Sequence, residues 1–228
     1  MKKKIAILQS NYIPWKGYFE LIKSVDEFII YDDAQFTKND WRNRNIINTN
    51  SGLQWLTIPV YHDHLDQKIK DTKIALAAWN HKHWQKLRHT YSKAPYYKEF
   101  SSYFEEMYLS SNETYLSEIN YKFIKVICDL FQIKTKILLS SDFSLTGDRS
   151  EKLLNLCKDC KADIYVSGPK AKEYLNTELF ELEKIAVDWF TYGNYPTYPQ
   201  IASDFNHNVS IVDTIFCAGV NQNLITKS

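Results

Sequence analysis

The sequence predicts an α/β fold, with a mainly parallel, doubly wound sheet in a three-layer α/β/α arrangement and a helical lobe inserted mid-chain. Short apolar strands alternate with helical patterns at both ends of the chain, and consecutive helical patterns fill positions 77–132. No internal repeat or low-complexity linker divides the 228 residues. We therefore expect 1–228 to be a single domain that contains 77–132 as a helical insert.

The start of the chain predicts a strand–loop–helix–strand unit. Lys4–Leu8 is a short apolar run, and residues 9–12 form a polar loop. Pro14 can open a helix because the first helical turn does not need its missing N–H, and large apolar side chains then recur at helical spacing. Phe28–Tyr31 predicts a second buried strand. The crossover of such a unit is right-handed, so the two strands should lie near each other.

The middle of the chain changes from polar loop to strand and then to helix. Phe36–Asn45 is rich in Asn and Arg and predicts a loop. Leu53–Val60 predicts a strand that Pro59 places at an edge or an end, and the alternating segment Ile69–Leu76 is a candidate to pair with it. Three helices are predicted to follow: Trp79–Tyr91, Tyr96–Leu109 and Glu113–Phe131.

The last hundred residues return to alternation. The predicted elements are strand Lys136–Leu139, helix Asp148–Cys160, strand Ile164–Val166, a short helix Ala171–Leu179, strand Lys184–Phe190 and a closing helix Val209–Phe216. This alternation is typical of a parallel sheet with helices on its faces.

Charge and hydropathy limit the classes of partner. The net charge of +1, from 28 basic and 27 acidic residues, argues against nucleic acid, because phosphate-backbone binders carry a basic surplus. No apolar run approaches the roughly 20 residues of a membrane span. The opening residues do not resemble a signal peptide, so we expect a cytoplasmic location.

Polar side chains follow the first two predicted strands. Gln9 and Asn11 follow the first, and Asp33 and Gln35 follow the second. Ligands of open α/β sheets bind outside the carboxyl ends of the strands, so these side chains could converge. We predict that the three amides bind substrate. We also predict that Asp33 is a catalytic proton acceptor, with a turn-capping aspartate as the alternative.

The segment Trp41-Arg42-Asn43-Arg44 follows. If it were extended, both arginines would project to one side, where two guanidinium groups suit a phosphate or carboxylate. Asn43 would face the other way as a further substrate-binding residue, and Trp41 and Tyr12 would wall the pocket. A solvated basic loop is the alternative.

His83 is a candidate general base, with a packed or surface histidine as the alternative. His81 and His83 would diverge by about 200° on a helix, so they do not predict a metal site. GxGxxG, Walker A and GxSxG patterns are absent, and the sequence names no cofactor.

Four segments resemble the WbqC-like family: QSNYIPWKGYF at 9–19, YDDAQ at 31–35, WRNRN at 41–45 and LTIPV at 56–60. Later segments match too, at 79–83, 165–168, 195–200 and 210–213. Ser10 stands where the family more often has Pro, which affects the stiffness of the loop. The resemblance implies a link to bacterial surface-polysaccharide clusters, notably O-antigen clusters that make modified amino sugars.

Taken with these residues, the resemblance implies a group-transfer enzyme of surface-glycan biosynthesis, with N-acyl or aminoacyl transfer to a nucleotide-linked amino sugar as the specific hypothesis. Its partner would be a phosphate-bearing small molecule, such as a nucleotide sugar or a carrier-linked acyl group. The alternatives are a non-catalytic nucleotide-sugar or glycan-binding module and an ATP-dependent, nucleotidyltransferase-like enzyme.

Overall fold

A computed structural model describes residues 2–227. The strands are β1 (Lys4–Leu8), β2 (Glu27–Ile30), β3 (Arg44–Thr49), β4 (Gly52–Thr57), β5 (Lys136–Leu139), β6 (Ile164–Ser167) and β7 (Ala186–Trp189). The α-helices are α1 (Lys16–Lys23), α2 (Trp79–Tyr91), α3 (Tyr97–Leu109), α4 (Leu116–Leu130), α5 (Arg149–Asp159), α6 (Thr177–Leu182) and α7 (Ile211–Ala218).

Five parallel strands form the central sheet, in the order β5-β2-β1-β6-β7. In this sheet β1 pairs with β2 on one side, where Ile5 lies opposite Glu27, and with β6 on the other, where Ile5 lies opposite Tyr165. After β1, the chain adds β2 and β5 on one side of that strand and then adds β6 and β7 on its other side. The strand order therefore reverses between β1 and β6, which is where doubly wound sheets bind ligands.

Helices cover both faces of the sheet. Ala6 and Phe28 belong to one core cluster, together with buried side chains of α1, α4 and α7. Ile5 and Ile29 belong to the other, together with Leu153 of α5 and side chains of α6. Successive strand residues point to opposite faces, and both faces of β1 and β2 are apolar because both are covered. The predicted three-layer α/β/α fold is confirmed.

The hairpin of β3 and β4 departs from the prediction. The polar run expected to be a loop through Asn45 turns into β3 at Arg44, and β4 pairs antiparallel with β3. The pairing considered for the segment 69–76 is reduced to one bridge, between Val60 and Ile74. The physical reason is that Asn45 and Asn48 of β3 are buried and hydrogen-bonded, so their polarity does not keep the segment in solvent.

Helices α2, α3 and α4 occupy the segment predicted to be helical, with α4 starting at Leu116 rather than Glu113. Near the end of the chain, the predicted helix Ala171–Leu179 is replaced by a 3-10 turn, Pro169–Glu173, followed by α6. Within residues 2–227, no helix is both long and apolar enough to cross a membrane. The description of the chain as a single domain with an insert at 77–132 stays a prediction.

Candidate functional site

A cleft of about 630 Å³ opens at the carboxyl ends of β1 and β2, on the face covered by α5. We call it the sheet-edge cleft. Gln9 and Gln35, two of the residues predicted to bind substrate, line it together with Tyr31 and Tyr165. The cleft lies next to the point where the strand order reverses, which is the usual ligand position in this class of sheet.

The first turn of α5 supplies the positive charge of this cleft. Arg149 and Lys152 both line it, and the guanidinium carbon of Arg149 lies 3.3 Å from the centre of the Tyr174 ring. The Asp148 carboxylate caps the helix by accepting from the backbone N–H groups of Ser150 at 2.8 Å and Glu151 at 2.9 Å. Because the cap already occupies these N–H groups, any attraction for an anion comes mainly from the two cationic side chains.

Sequence reasoning missed Arg149 and Lys152. It placed a helix start at Asp148, and helices that follow parallel strands begin at the carboxyl edge of the sheet. A helix start placed at that edge was the feature of the sequence that could have pointed to these two residues. It gave no way to tell which cations of the helix face the cleft rather than solvent.

Asp32 fixes the loop that follows β1. Its carboxylate accepts from the Ser10 backbone N–H at 2.8 Å and from the Ser10 hydroxyl at 2.7 Å. The Asn120 amide donates to the Ser10 hydroxyl and to the carbonyl of Arg42. Burial raises the pKa of the Asp32 carboxyl, although hydrogen bonds from Ser10 and the charge of Arg42 oppose the shift. Asp32 therefore anchors the loop that carries Gln9.

Arg42 holds the same loop from the other side. Its guanidinium donates to the carbonyl of Ser10 at 3.2 Å and to the side-chain oxygen of Asn11. It also pairs with Asp40 at 3.6 Å. Burial lowers the pKa of Arg42, although Asp40 and other acidic neighbours oppose that shift. This guanidinium group is already committed to protein acceptors.

Arg44 has different partners. Its guanidinium carbon lies 4.1 Å from the centre of the Trp55 ring, and it donates to Asn39. The two arginines that were predicted to hold one anion therefore contact different protein groups. The reason is that residues 41–43 form a turn rather than an extended segment, so alternate residues do not share a side. Asn43 is buried and donates to the carbonyl of Ile58.

Asp33 is paired with two lysines. Its carboxylate lies 2.6 Å from the Lys70 ammonium and 3.1 Å from the Lys68 ammonium, and it accepts from the Ser140 hydroxyl at 3.0 Å. Burial favours the neutral acid, but hydrogen bonds from these three groups outweigh it and hold the pKa of Asp33 below its usual value. Asp33 is thus an ionised carboxylate at neutral pH.

His83 and Tyr12 lie in the core. The Tyr12 hydroxyl is 2.8 Å from Nδ1 of His83 and 2.5 Å from the Tyr108 hydroxyl, and His83 Nε2 is 3.2 Å from the carbonyl of Thr57. Burial lowers the pKa of His83 to about 4, so the imidazole is neutral at pH 7. The ring of Tyr12 is fully buried and does not form a pocket wall. Neither side chain lines the sheet-edge cleft.

A second cleft, of about 300 Å³, is lined by two more of the predicted residues, Asn11 and Trp41. We call it the tryptophan cleft. The residues that line it are Asn11, Pro14, Trp15, Trp41, Asn45 and Asn208. The structure thus divides the predicted substrate-binding residues between two clefts, with Gln9 and Gln35 in one and Asn11 and Trp41 in the other.

A strained turn supports the tryptophan cleft. Ile13 has a φ of 37°, in the left-handed region that branched residues avoid. Its carbonyl accepts from the Asn45 amide at 2.9 Å and from the Ser210 hydroxyl at 2.8 Å. Strain of this kind costs on the order of 1–3 kcal/mol and persists where the surroundings hold it in place.

Sequence comparisons identify the family of this chain. The WbqC-like protein family matches residues 9–225, nearly the whole chain. The chain belongs to the WbqC-like protein family. The uncharacterized protein Rv1507c of Mycobacterium tuberculosis is 45% identical over 218 residues, which cover 95% of this chain and 94% of that protein. No solved structure matches the chain significantly. The match spans the loops that line both clefts, so both lie within the family region.

Proposed function

We propose that this WbqC-like protein is a group-transfer enzyme of bacterial surface-glycan biosynthesis that holds a phosphate-bearing small molecule in the sheet-edge cleft. The observation that carries the proposal is the pair of cations, Arg149 and Lys152, lining a cleft at the point where the strand order reverses. A guanidinium group and an ammonium group together suit a phosphate or pyrophosphate. Membership of the family supports the choice of a glycan pathway.

The reaction we favour is acyl transfer to an amino sugar. The amine would attack the carbonyl carbon of the donor, and the new C–N bond would replace the bond to the phosphate-bearing leaving group. The amides of Gln9 and Gln35 would donate hydrogen bonds to the oxyanion that develops. Arg149 and Lys152 would hold the pyrophosphate of the nucleotide-linked amino sugar that supplies the amine.

Asp33 would accept the proton that the nitrogen loses. Asp33 does not itself line the cleft, but it lies between the lining residues Tyr31 and Ala34 in the sequence and is ionised at neutral pH. Its two lysine partners make it a weak base, so it would act late, on the acidic N–H of the tetrahedral intermediate. His83, which is buried and neutral, would support the core around Tyr12 instead of accepting a proton.

The test of the phosphate site is a thermal-shift panel with inorganic pyrophosphate, uridine diphosphate and nucleotide-linked amino sugars. A ligand at 100 times its Kd adds about 2.7 kcal/mol of stability, so the melting temperature should rise. The double variant Arg149→Ala, Lys152→Ala should lose that rise. Lys158→Ala, in the last turn of the same helix, should keep it, because Lys158 forms an exposed ion pair with Glu183.

A stabilisation that survives in the double variant would contradict the assignment of the phosphate site. ATP with magnesium belongs in the same panel. Stabilisation by ATP alone would favour the nucleotidyltransferase-like alternative.

A binding module without catalysis is the second candidate function. The observation in its favour is that both predicted catalytic side chains are engaged, Asp33 by two lysines and His83 in the core. Turnover by the wild-type protein separates the two, and Asp33→Asn tests the catalytic base. For an enzyme that uses Asp33 as a base, the variant should bind the nucleotide sugar normally and lose turnover by about 10²–10⁴-fold. Retained turnover would remove Asp33 from the mechanism.

A further inference from the structure

The tryptophan cleft differs in chemistry from the sheet-edge cleft. All six side chains that line it are uncharged: Asn11, Pro14, Trp15, Trp41, Asn45 and Asn208. Three of them are carboxamides and two are indoles. Its volume of about 300 Å³ is at the lower end of the range for small-molecule sites, which is roughly 300–1,000 Å³. The cleft therefore suits a small, neutral, hydroxyl-bearing molecule better than it suits a phosphate.

Trp15 is held in position on one side of this cleft. A Cβ atom at Gly17 would lie 2.5 Å from the Trp15 ring, so the missing side chain of Gly17 is what lets the indole fold back over α1. The ring also packs against Tyr192, with centroids 5.4 Å apart, and Tyr195, at 5.6 Å. These contacts fix the indole before any ligand arrives, which reduces the entropy cost of binding.

Trp41 also lines this cleft and remains 39% exposed. Its ring centroid is 5.3 Å from that of Trp55, and the guanidinium of Arg44 lies over the Trp55 ring. Arg44 thereby supports the indole pair from outside the cleft. The contact gives Arg44 a role in place of the predicted anion binding.

The amides leave hydrogen-bonding groups for a ligand. Asn11 uses its side-chain oxygen to accept from Arg42, which leaves its NH₂ group to donate. Asn208 is exposed, and its side-chain amide has no partner within residues 2–227. Asn45 is committed to the carbonyls of Tyr12 and Ile13. Two of the three carboxamides can therefore bind hydroxyl groups.

We infer that the tryptophan cleft binds the ring of a neutral sugar. The apolar C–H face of a pyranose would pack on an indole, and its hydroxyls would exchange hydrogen bonds with Asn11 and Asn208. The two clefts meet at the loop after β1, because Gln9 lines one and Asn11 the other, and two residues of extended chain span at most about 7 Å. The inference rests on the proposed function in one respect. If the sugar is part of a nucleotide sugar, its phosphate would lie in the sheet-edge cleft, whereas a free acceptor sugar would need only the tryptophan cleft.

Saturation-transfer difference NMR on the full chain tests this assignment. The probes are methyl α-D-glucopyranoside, N-acetylglucosamine, uridine diphosphate glucose and uridine. Ring protons of the sugars should receive saturation from the wild-type protein. Trp41→Ala should weaken sugar binding on the order of tenfold, through loss of the stacked indole. Asn208→Asp, a surface change that does not endanger folding, should weaken it too, whereas Asn112→Ala, on an exposed loop residue, should not.

The phosphate site and the sugar site can be tested separately. Arg149→Ala should weaken uridine diphosphate glucose but leave the two free sugars unchanged, because they need only the tryptophan cleft. If the wild-type protein binds the free sugars but shows no thermal shift with pyrophosphate, the proposed phosphate site alone is overturned. Saturation of uridine without any sugar, or sugar signals unchanged in both Trp41→Ala and Asn208→Asp, would overturn the sugar site.

Discussion

At Arg42, burial and nearby backbone acceptors decide what a guanidinium group does. The sequence indicated an anion site at Arg42 and Arg44, but one side chain fastens the β1 loop and the other lies on Trp55. Gln9 and Gln35 were predictable, because residues that follow parallel strands face the carboxyl edge. Arg149 was not predictable, because an arginine that follows a helix cap can also lie on a face of the helix that is exposed to solvent.

Gly17 gives a prediction at this scale. Gly17→Ala should displace the Trp15 indole, because the new methyl group would come within 2.5 Å of it. We expect weaker sugar binding in the tryptophan cleft and an unchanged response to pyrophosphate. Helix propensity favours alanine by roughly 1 kcal/mol, so any loss of thermal stability would report the clash.

Gly168→Ala is the matched control, because nothing lies within 4 Å of a Cβ atom built there. Tryptophan fluorescence and the sugar titration can be recorded on the same samples. Equal sugar affinity for Gly17→Ala and the wild type would mean that the position of Trp15 is unimportant for the cleft.

At the scale of elements, apolar strands and helical repeats were predictable and the polar hairpin was not. Strand β3 contains Asn45 and Asn48, whose amides are buried against acceptors far away in the sequence. Only the folded chain provides those acceptors, so composition alone indicates a loop. Helix α7 is the reverse case. Its apolar pattern was clear, but the sequence did not show that Asp213 would be buried within it.

Asp213 gives a prediction of pH dependence. Burial raises the pKa of its carboxyl to about 6, although hydrogen bonds from Tyr91 and Tyr198 oppose the shift. The folded state therefore binds a proton more tightly than the unfolded state, whose aspartates have a pKa near 3.9. Stability from this group is present below pH 4 and is lost as pH rises towards 6 and above.

Asp213→Asn should remove that slope, since asparagine does not titrate. The difference in free energy of unfolding between variant and wild type should change by about 1–3 kcal/mol between pH 4 and pH 7. Urea titrations at several pH values measure it. A difference that stays constant with pH would show that the carboxyl titrates normally in the folded protein.

At the scale of the whole molecule, the alternation of strand and helix patterns predicted the fold class. It did not predict which of the site residues would line the same cleft. Strand order depends on which edge each new strand joins, which the local pattern does not contain. The segment 77–132 also reaches the site: Asn120 of α4 bonds to Ser10 and to the carbonyl of Arg42. These bonds connect the helical segment to the loop that separates the two clefts.

The central claim is that Arg149 and Lys152 hold a phosphate group in the sheet-edge cleft. The most direct measurement is a crystal structure of the protein with uridine diphosphate glucose. We expect phosphate density within hydrogen-bond distance of both side chains, with the sugar ring extending towards Asn11 and Trp41. Phosphate density at Arg42 and Arg44 instead, or beside Lys68 and Lys70, with the sheet-edge cleft empty, would contradict it.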